Sequence, residues 1–325
     1  MRNCIYVTYP CTDSQKQRLR EAAGEMPILF RTECSEAEQR EAFAAAEVIL
    51  GEPKPETLAA APRLRWIQMS WAGADLYTRA KYLPEGLRIS CATGVYGGTI
   101  AEYIIGTVLA LYRNLPLYLR QQREGLWKPC FPSRGIEGST VLIVGAGDIG
   151  TELAKRLRPF LPKEILGVRR TARQKPAEFD EMYIMEDLPQ LWGRADLVVC
   201  SLPNTPLTRG LLDEKALLAM KKDAVLVNVG RGTLVNPDTL CQVMQSGHLS
   251  GAILDVTAPE PLPPEHPLWK LDNVILTPHV AGIGFGNMPE TAEKIIDLSC
   301  ENLRRYLRGE PPRNLVDFAT GYRTL

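Results

Sequence analysis

The chain has no excess of charge of either sign: 38 Lys and Arg stand against 38 Asp and Glu over 325 residues. That balance gives no electrostatic reason to expect nucleic acid or an anionic membrane surface as a partner. No apolar run approaches the roughly 20 residues of a membrane-spanning helix. A secretory n-region and h-region, a low-complexity segment and a short repeat are all missing. Eight cysteines are present, at 4, 11, 34, 91, 130, 200, 241 and 300, but they are scattered singly. None forms C-x-x-C, and no His lies at metal-ligand spacing from them. The expectation is reduced thiols in a cytoplasmic protein without a metal. Cys91 and Cys200 lie in apolar, strand-like runs and are expected in the core.

What the chain does have is alternation. Hydrophobic residues make up 45% of it, enough at this length for about two domains with cores of their own. Short apolar runs at 5–7, 27–30, 47–50, 64–69 and 88–91 read as strands. Amphipathic stretches at 15–23 and 36–46 read as helices, and a short helix follows Pro53-Lys-Pro55. Strand–helix alternation at this spacing predicts a parallel sheet of about five strands. A boundary falls near Tyr96-Gly97-Gly98. Beyond it, Thr99 and Glu102 have capping-box spacing for a long helix through Leu115, with Pro116 as a kink. From Val141 the alternation restarts, with six strands at 141–144, 165–168, 197–200, 225–229, 251–256 and 273–276. An amphipathic helix at 291–307 closes the pattern.

The second series opens on Val141-Leu-Ile-Val-Gly145-Ala-Gly147-Asp148-Ile149-Gly150. An apolar run, G-x-G-x-x-G and a helical stretch make strand, tight turn and helix. Gly145 permits the turn, Gly147 admits a pyrophosphate to the backbone, and Gly150 lets strand and helix pack closely. The helix start offers N–H groups and a positive dipole end to phosphates. A Gly-rich turn without a ligand is the plainer alternative.

Ligands of open α/β sheets bind beyond the carboxyl ends of the strands. There this sequence places Arg231, then Asp255 and Glu260, then His279. Singly, such an Arg is more often a surface ion pair and such a His a satisfied polar residue. Jointly they suit the reduction of a 2-keto acid. Arg holds a carboxylate by a two-pronged hydrogen bond, His gives the carbonyl oxygen a proton, and Glu orients the ring and favours imidazolium. His248 and His266 lack this company, and His266 is read as structural. Trp66, Trp127 and Trp192 are read as packing, and Tyr96 as a candidate for lining the site.

These motifs resemble those of the D-isomer-specific 2-hydroxyacid dehydrogenase family. The likeness rests on the glycine turn, Leu202-Pro-Asn-Thr-Pro-Leu-Thr208, Asn228-Val-Gly-Arg-Gly-Thr-Leu-Val235, Leu254-Asp-Val with Glu260-Pro261, and Thr277-Pro-His-Val-Ala-Gly282. It extends from the loop Ser70-Trp-Ala-Gly-Ala-Asp75 to the last helix. The resemblance implies two doubly wound α/β domains. A Rossmann NAD(P)-binding domain at 98–287 is inserted into a flavodoxin-like substrate domain formed by 1–97 and 288–325. It implies His279 as acid/base, Glu260 as its partner and Arg231 as the substrate arginine. Ala72 and Gly73, with Trp71 beside them, fall on the loop that holds the substrate carboxylate. Thr99, Gly145, Gly147, Asp148, Ile149, Gly150, Leu202, Pro203, Thr208, Val229, Gly230, Asp255, His279 and Gly282 fall on cofactor positions. The long helix and the segment after it resemble a dimer arm, so a homodimer is expected.

The cofactor is read from the strand after the turn. An NAD site normally carries an acid at its end, roughly 20 residues beyond the first glycine. Here stand Arg169, Arg170 and Thr171, followed by Ala172 and Arg173. An acid repels a 2′-phosphate and an arginine pairs with it, so NADP(H) is preferred, with NAD(H) as the alternative if the turn is only solvated. The expected reaction is reduction of a small 2-keto acid to the D-(R)-2-hydroxy acid, with glyoxylate or hydroxypyruvate as the specific choice. The competing class is a nucleotide-sensing co-regulator of the same fold.

Overall fold

The structure, a computed structural model, describes residues 3–171, 174–285 and 288–318, and the backbone of 322–323. The chain divides into two units, Met1–Tyr96 with Ile283–Leu325, and Gly97–Gly282.

The first unit holds strands β1 (Cys4–Val7), β2 (Ile28–Phe30), β3 (Ala46–Leu50), β4 (Trp66–Gln68) and β5 (Arg88–Ser90). They form one parallel sheet in the order β2-β1-β3-β4-β5, the flavodoxin-like doubly wound order. Helices Asp13–Ala23 and Glu36–Ala45 each start at a true capping box, Thr12 with Gln15 and Ser35 with Glu38. The last helix, Pro289–Leu307, belongs to this unit. Its Ile296, Cys300 and Leu303 pack with Ile5, Val7 and Trp66. Each of the large aliphatic side chains contributes about 1.5–3 kcal/mol by leaving water. Trp66 stacks on Tyr306 with ring centroids 5.2 Å apart, and Tyr9 Oη donates to Ser299 Oγ at 3.0 Å.

The second unit holds β6 (Thr140–Val144), β7 (Glu164–Arg169), β8 (Glu181–Ile184), β9 (Leu197–Cys200), β10 (Val225–Asn228), β11 (Gly251–Leu254) and β12 (Val274–Leu276). Their order is β12-β11-β10-β9-β6-β7-β8, every neighbouring pair parallel. Counted from β6, this is the Rossmann order 3-2-1-4-5-6 extended by one strand. The order reverses between β6 and β9, so the crevice at their carboxyl ends is the topological switch point. The sheet has seven strands where periodicity predicts six. The extra one, β8, is a half-exposed edge strand, Glu-Met-Tyr-Ile, that lacks the continuous apolar run of the buried strands.

Two local expectations are corrected. Helix Gly97–Tyr112 begins before Thr99, which therefore sits inside its first turn instead of capping it. Glu102 points to the Arg156 Nε at 3.6 Å. At Gly97 a Cβ would lie 2.9 Å from Asp148 Oδ2 and from Glu152 Cγ, so glycine lets this first turn lie close to helix Asp148–Leu157. Pro116 does not kink the long helix. That helix stops at Tyr112, Asn114 turns left-handed at φ 57°, and Pro116 lies in the first turn of a new helix, Leu115–Arg123.

Among the described residues, no helix is long and apolar enough to cross a membrane, and no group of three or more His, Cys, Asp or Glu is arranged to hold a metal. All eight cysteines are free thiols, with Cys91 and Cys200 in the core.

Candidate active site

The glycine turn sits at the carboxyl end of β6. Gly145 adopts φ +107°, and a Cβ there would lie 2.9 Å from Ser201 Oγ and 3.0 Å from the Ser201 carbonyl oxygen. A Cβ on Gly150 would meet the Gly145 oxygen at 2.6 Å and Ile143 Cγ2 at 2.9 Å. Those two glycines are therefore forced by packing. Gly147 is not: nothing stands within 4 Å of its Cβ position, and it caps helix Asp148–Leu157 without a side-chain hydrogen bond. An exposed helix start with open space above it suits an anionic group such as a pyrophosphate.

Arg169, at the end of β7, donates from Nε to the Ala146 carbonyl at 2.6 Å. It thereby ties the strand end to the glycine turn. Arg170 and Thr171 are exposed next to it, and Ala172 and Arg173 lie outside the described residues. No carboxylate occupies the end of β7 from Arg169 to Thr171.

At the end of β9, Leu202 is buried and Pro203 half-buried. The Thr208 hydroxyl donates to the Pro203 carbonyl at 2.6 Å and accepts from Thr205 N at 2.9 Å. It shapes its own loop. Asn204 Oδ1 in the same loop is a buried acceptor without a protein partner among the described residues.

The loop after β10 is held by Asn228, a motif residue to which the sequence assigns no role. Asn228 is fully buried. Its Oδ1 accepts from Gly230 N at 3.1 Å and its Nδ2 donates to the Arg231 carbonyl at 3.0 Å. Cβ atoms on Gly230 and Gly232 would lie 2.4 Å from the Leu202 oxygen and 1.9 Å from the Thr257 oxygen. Val229, buried, and Arg231, half-buried, are thus carried by a backbone clamped on both sides. The signal in the sequence was a polar residue ending an otherwise apolar buried strand.

Asp255, buried at the end of β11, organises the next turn. Its Oδ1 accepts from Thr277 Oγ1 at 2.7 Å and Val280 N at 2.8 Å, and its Oδ2 accepts from Ala281 N at 3.0 Å. Its own carbonyl accepts from His279 N at 2.8 Å. Tyr103 Oη lies 2.5 Å from Thr277 Oγ1, extending the network to helix Gly97–Tyr112. These bonds hold His279 at φ +56°, a left-handed conformation that a non-glycine residue adopts only when its surroundings impose it. From that turn His279 Nδ1 reaches Glu260 Oε1 at 2.7 Å, with both side chains about half exposed. A carboxylate only accepts, so Nδ1 carries the hydrogen and Nε2 is the nitrogen left to exchange a proton. Gly282 follows, half-buried, at the end of this turn.

The other histidines serve the fold. His266 Nδ1 accepts from Leu268 N at 3.2 Å, capping a short turn, although Asp238 Oδ1 stands 3.2 Å from its Nε2. His248 Nε2 lies 3.0 Å from the Met220 carbonyl. Trp66 and Trp192 are core residues, but Trp127 is fully exposed and packs nothing.

In the first unit, the loop at 70–75 follows β4. The Trp71 carbonyl accepts from Ala92 N at 2.8 Å, and the Ser70 carbonyl accepts from Tyr96 Oη at 2.7 Å. Tyr96 is thereby buried beneath this loop. The Trp71 side chain is 51% exposed. Ala72 is exposed and Gly73 half-exposed.

Residues 105–281 match the model of the D-isomer specific 2-hydroxyacid dehydrogenase NAD binding domain. A glyoxylate reductase/hydroxypyruvate reductase of Mus musculus is 35% identical over 78% of this chain and 76% of its own length. A D-isomer specific 2-hydroxyacid dehydrogenase family protein of Aeromonas salmonicida superposes with a TM-score of 0.84 at 31% identity, covering 98% of this chain and 99% of that one. A D-isomer specific 2-hydroxyacid dehydrogenase of Xanthobacter autotrophicus, solved with NADPH and MES, does so with a TM-score of 0.80 at 30% identity, covering 98% and 99%. With the Rossmann strand order, the glycine turn and the Glu260–His279 pair on one sheet edge, this places the chain in the D-isomer-specific 2-hydroxyacid dehydrogenase family.

Proposed function

We propose that this protein reduces a small 2-keto acid, glyoxylate or hydroxypyruvate foremost, to the D-(R)-2-hydroxy acid with NADPH. The observation that carries the reading is the Glu260–His279 pair, 2.7 Å apart, on the same strand-end edge as Arg231. A reduced nicotinamide held at the glycine turn would supply the hydride for the keto carbon and leave as its oxidised form. Arg231 is the substrate arginine of the second unit; in the first, the Ala72 and Gly73 amides, with Trp71 beside them, are the donors for a substrate carboxylate. His279 gives the proton from Nε2 to the carbonyl oxygen, and Glu260 fixes the ring through Nδ1. In the reverse direction His279 is the base. Residues 98–287 serve as the dinucleotide domain, and 1–97 with 288–325 as the substrate domain.

The dinucleotide is held by Gly145, Gly147, Asp148, Ile149 and Gly150 at the helix start, with Thr99, Leu202, Pro203, Thr208, Val229, Gly230, Asp255 and Gly282 lining the strand ends. Arg169, Arg170 and Thr171 take the 2′-phosphate. The absence of an acid at the end of β7 supports NADPH, as does the NADPH in the Xanthobacter structure. The printed activity of the mouse relative supports the substrate.

The test is a 2-keto acid panel with both cofactors. Turnover of glyoxylate and hydroxypyruvate, faster with NADPH than NADH, is expected. Nucleotide binding with no turnover of any keto acid would leave the co-regulator reading in its place.

A homodimer accounts for the exposed Leu115, Leu119, Leu126, Trp127 and Phe131 clustered within 17 residues of chain. Such a density of exposed large apolar side chains is a liability in a monomer. A monomeric mass at micromolar concentration would overturn it.

A further inference from the structure

Glu52 is a carboxylate for which the reaction above has no use. It follows β3 through Gly51, at the carboxyl edge of the first sheet. Gly51 adopts φ +138°, and a Cβ there would fall 1.8 Å from Thr8 Oγ1, so the chain turns tightly and delivers Glu52 beneath the 70–75 loop. There Glu52 Oε1 accepts from the Ser70 hydroxyl at 2.8 Å and from the Ser70 backbone N–H. The hydroxyl and the amide of Ser70 therefore both turn inward onto one anion. Further along the loop, the amides of Ala72 and Gly73 have no backbone acceptor among the described residues.

We propose that Glu52 is a positioning residue: by anchoring the hydroxyl and amide of Ser70 at the start of the loop it aims the Ala72 and Gly73 amides at the substrate carboxylate. The inference rests on the proposed role of that loop. Glu52 touches neither substrate nor cofactor in this scheme, so its removal acts on substrate binding and leaves the hydride and proton steps alone. It also predicts that substrate affinity depends on the charge of Glu52. The titratable groups that face it are the phenols of Tyr9, Tyr77 and Tyr96. Their hydroxyls donate to Ser299 Oγ, the Pro53 carbonyl and the Ser70 carbonyl, and burial keeps all three neutral. No cation is among them. Burial pushes the Glu52 carboxyl up, and the Ser70 donors pull it only part of the way back. The ionised form that holds Ser70 is complete above this raised pKa and is lost as pH falls through it.

The experiment is Glu52→Gln in the full-length enzyme, assayed against pH with a 2-keto acid and NADPH. A Gln keeps the shape but faces its donors with a donor of its own. The KM for the keto acid should rise about tenfold, the scale of one lost charged hydrogen bond. The kcat and the KM for NADPH should stay within about threefold, since a uniform binding loss leaves kcat alone. The wild-type KM should climb at acid pH, and that limb should vanish in the variant. Glu52→Asp should recover part of the loss. An unchanged KM and acid limb in folded Glu52→Gln would overturn the proposal, as would a fall in kcat at unchanged KM. If Glu52→Gln does not fold, Ser70→Ala decides. It should raise the keto acid KM by about threefold, the worth of a neutral hydrogen bond, and an unchanged KM would overturn the proposal. Wild-type enzyme that turns over no 2-keto acid defeats the reading of the site itself. Active wild-type enzyme with a silent Glu52→Gln defeats only the role of Glu52.

Discussion

In the proposed reaction the two sheets carry different kinds of chemistry at their carboxyl edges. In the second unit the strand ends present side chains: Arg231 after β10, Glu260 beyond β11, His279 after β12. In the first unit the corresponding edge presents backbone, the amides of the 70–75 loop. A side chain brings its chemistry with its residue type, so its support has only to orient it. A backbone amide is the same at every residue and becomes a site only through the conformation of its loop. The supports differ accordingly. Asn228 and Asp255 tie the turns that carry Arg231 and His279, whereas Glu52 holds the hydroxyl and amide of Ser70 at the start of the 70–75 loop.

That contrast can be tested from the chemistry outwards. His279→Ala should lower kcat by about 10²–10⁴, the range for a lost general acid. Steady-state kinetics with saturating NADPH would show it, and a loss below about tenfold would mean that His279 is not the acid.

Asp255→Ala comes next, because it removes no proposed reacting group. It leaves the Val280 and Ala281 N–H groups and the Thr277 hydroxyl without their acceptor. The cost is about 3 kcal/mol, from a charged acceptor serving several buried donors. A fall in Tm of about 6–12 °C should follow for a domain of this size, read by thermal denaturation. Relaxation of the His279 turn from its left-handed backbone should lower kcat by at least about tenfold. A Tm unchanged from wild type would show that the buried carboxylate does not hold the turn.

The smallest effect concerns cofactor choice. Arg169→Asp with Arg170→Ala should shift the ratio of kcat/KM for NADPH over NADH by about tenfold toward NADH, the scale of one charged hydrogen bond. Because Arg169 also donates to Ala146 in the glycine turn, some loss with both cofactors is expected as well. An unchanged ratio would remove these arginines from the phosphate site.

Legibility followed the same division. The buried parallel strands were readable because an apolar run bounded by turn residues has few alternatives in an α/β chain, and β9 and β10 lie at or within one residue of where periodicity puts them. The edge strand β8 was not, since half of its surface faces water and its polar residues hide the pattern. The Thr99–Glu102 capping spacing misleads because the helix starts two residues earlier, at Gly97, and leaves Thr99 inside its first turn. The true capping boxes at Thr12 and Ser35 do not stand out in the sequence, since short polar motifs recur by chance and only hydrogen bonds distinguish them.

By itself the sequence determined the residue types at the strand ends, the glycine turn and the alternation that builds two sheets. Local sterics and burial act on neighbours in the chain, so these survive as patterns in one dimension. The tertiary structure decided which polar residues hold those groups in place. Asn228, Asp255, Thr277 and Glu52 work through partners set by loop geometry, two to 26 positions away in the chain; the sequence marks the first three as motif residues but does not say which groups they hold. A hydrogen bond needs a distance and an angle, and only the folded chain supplies both.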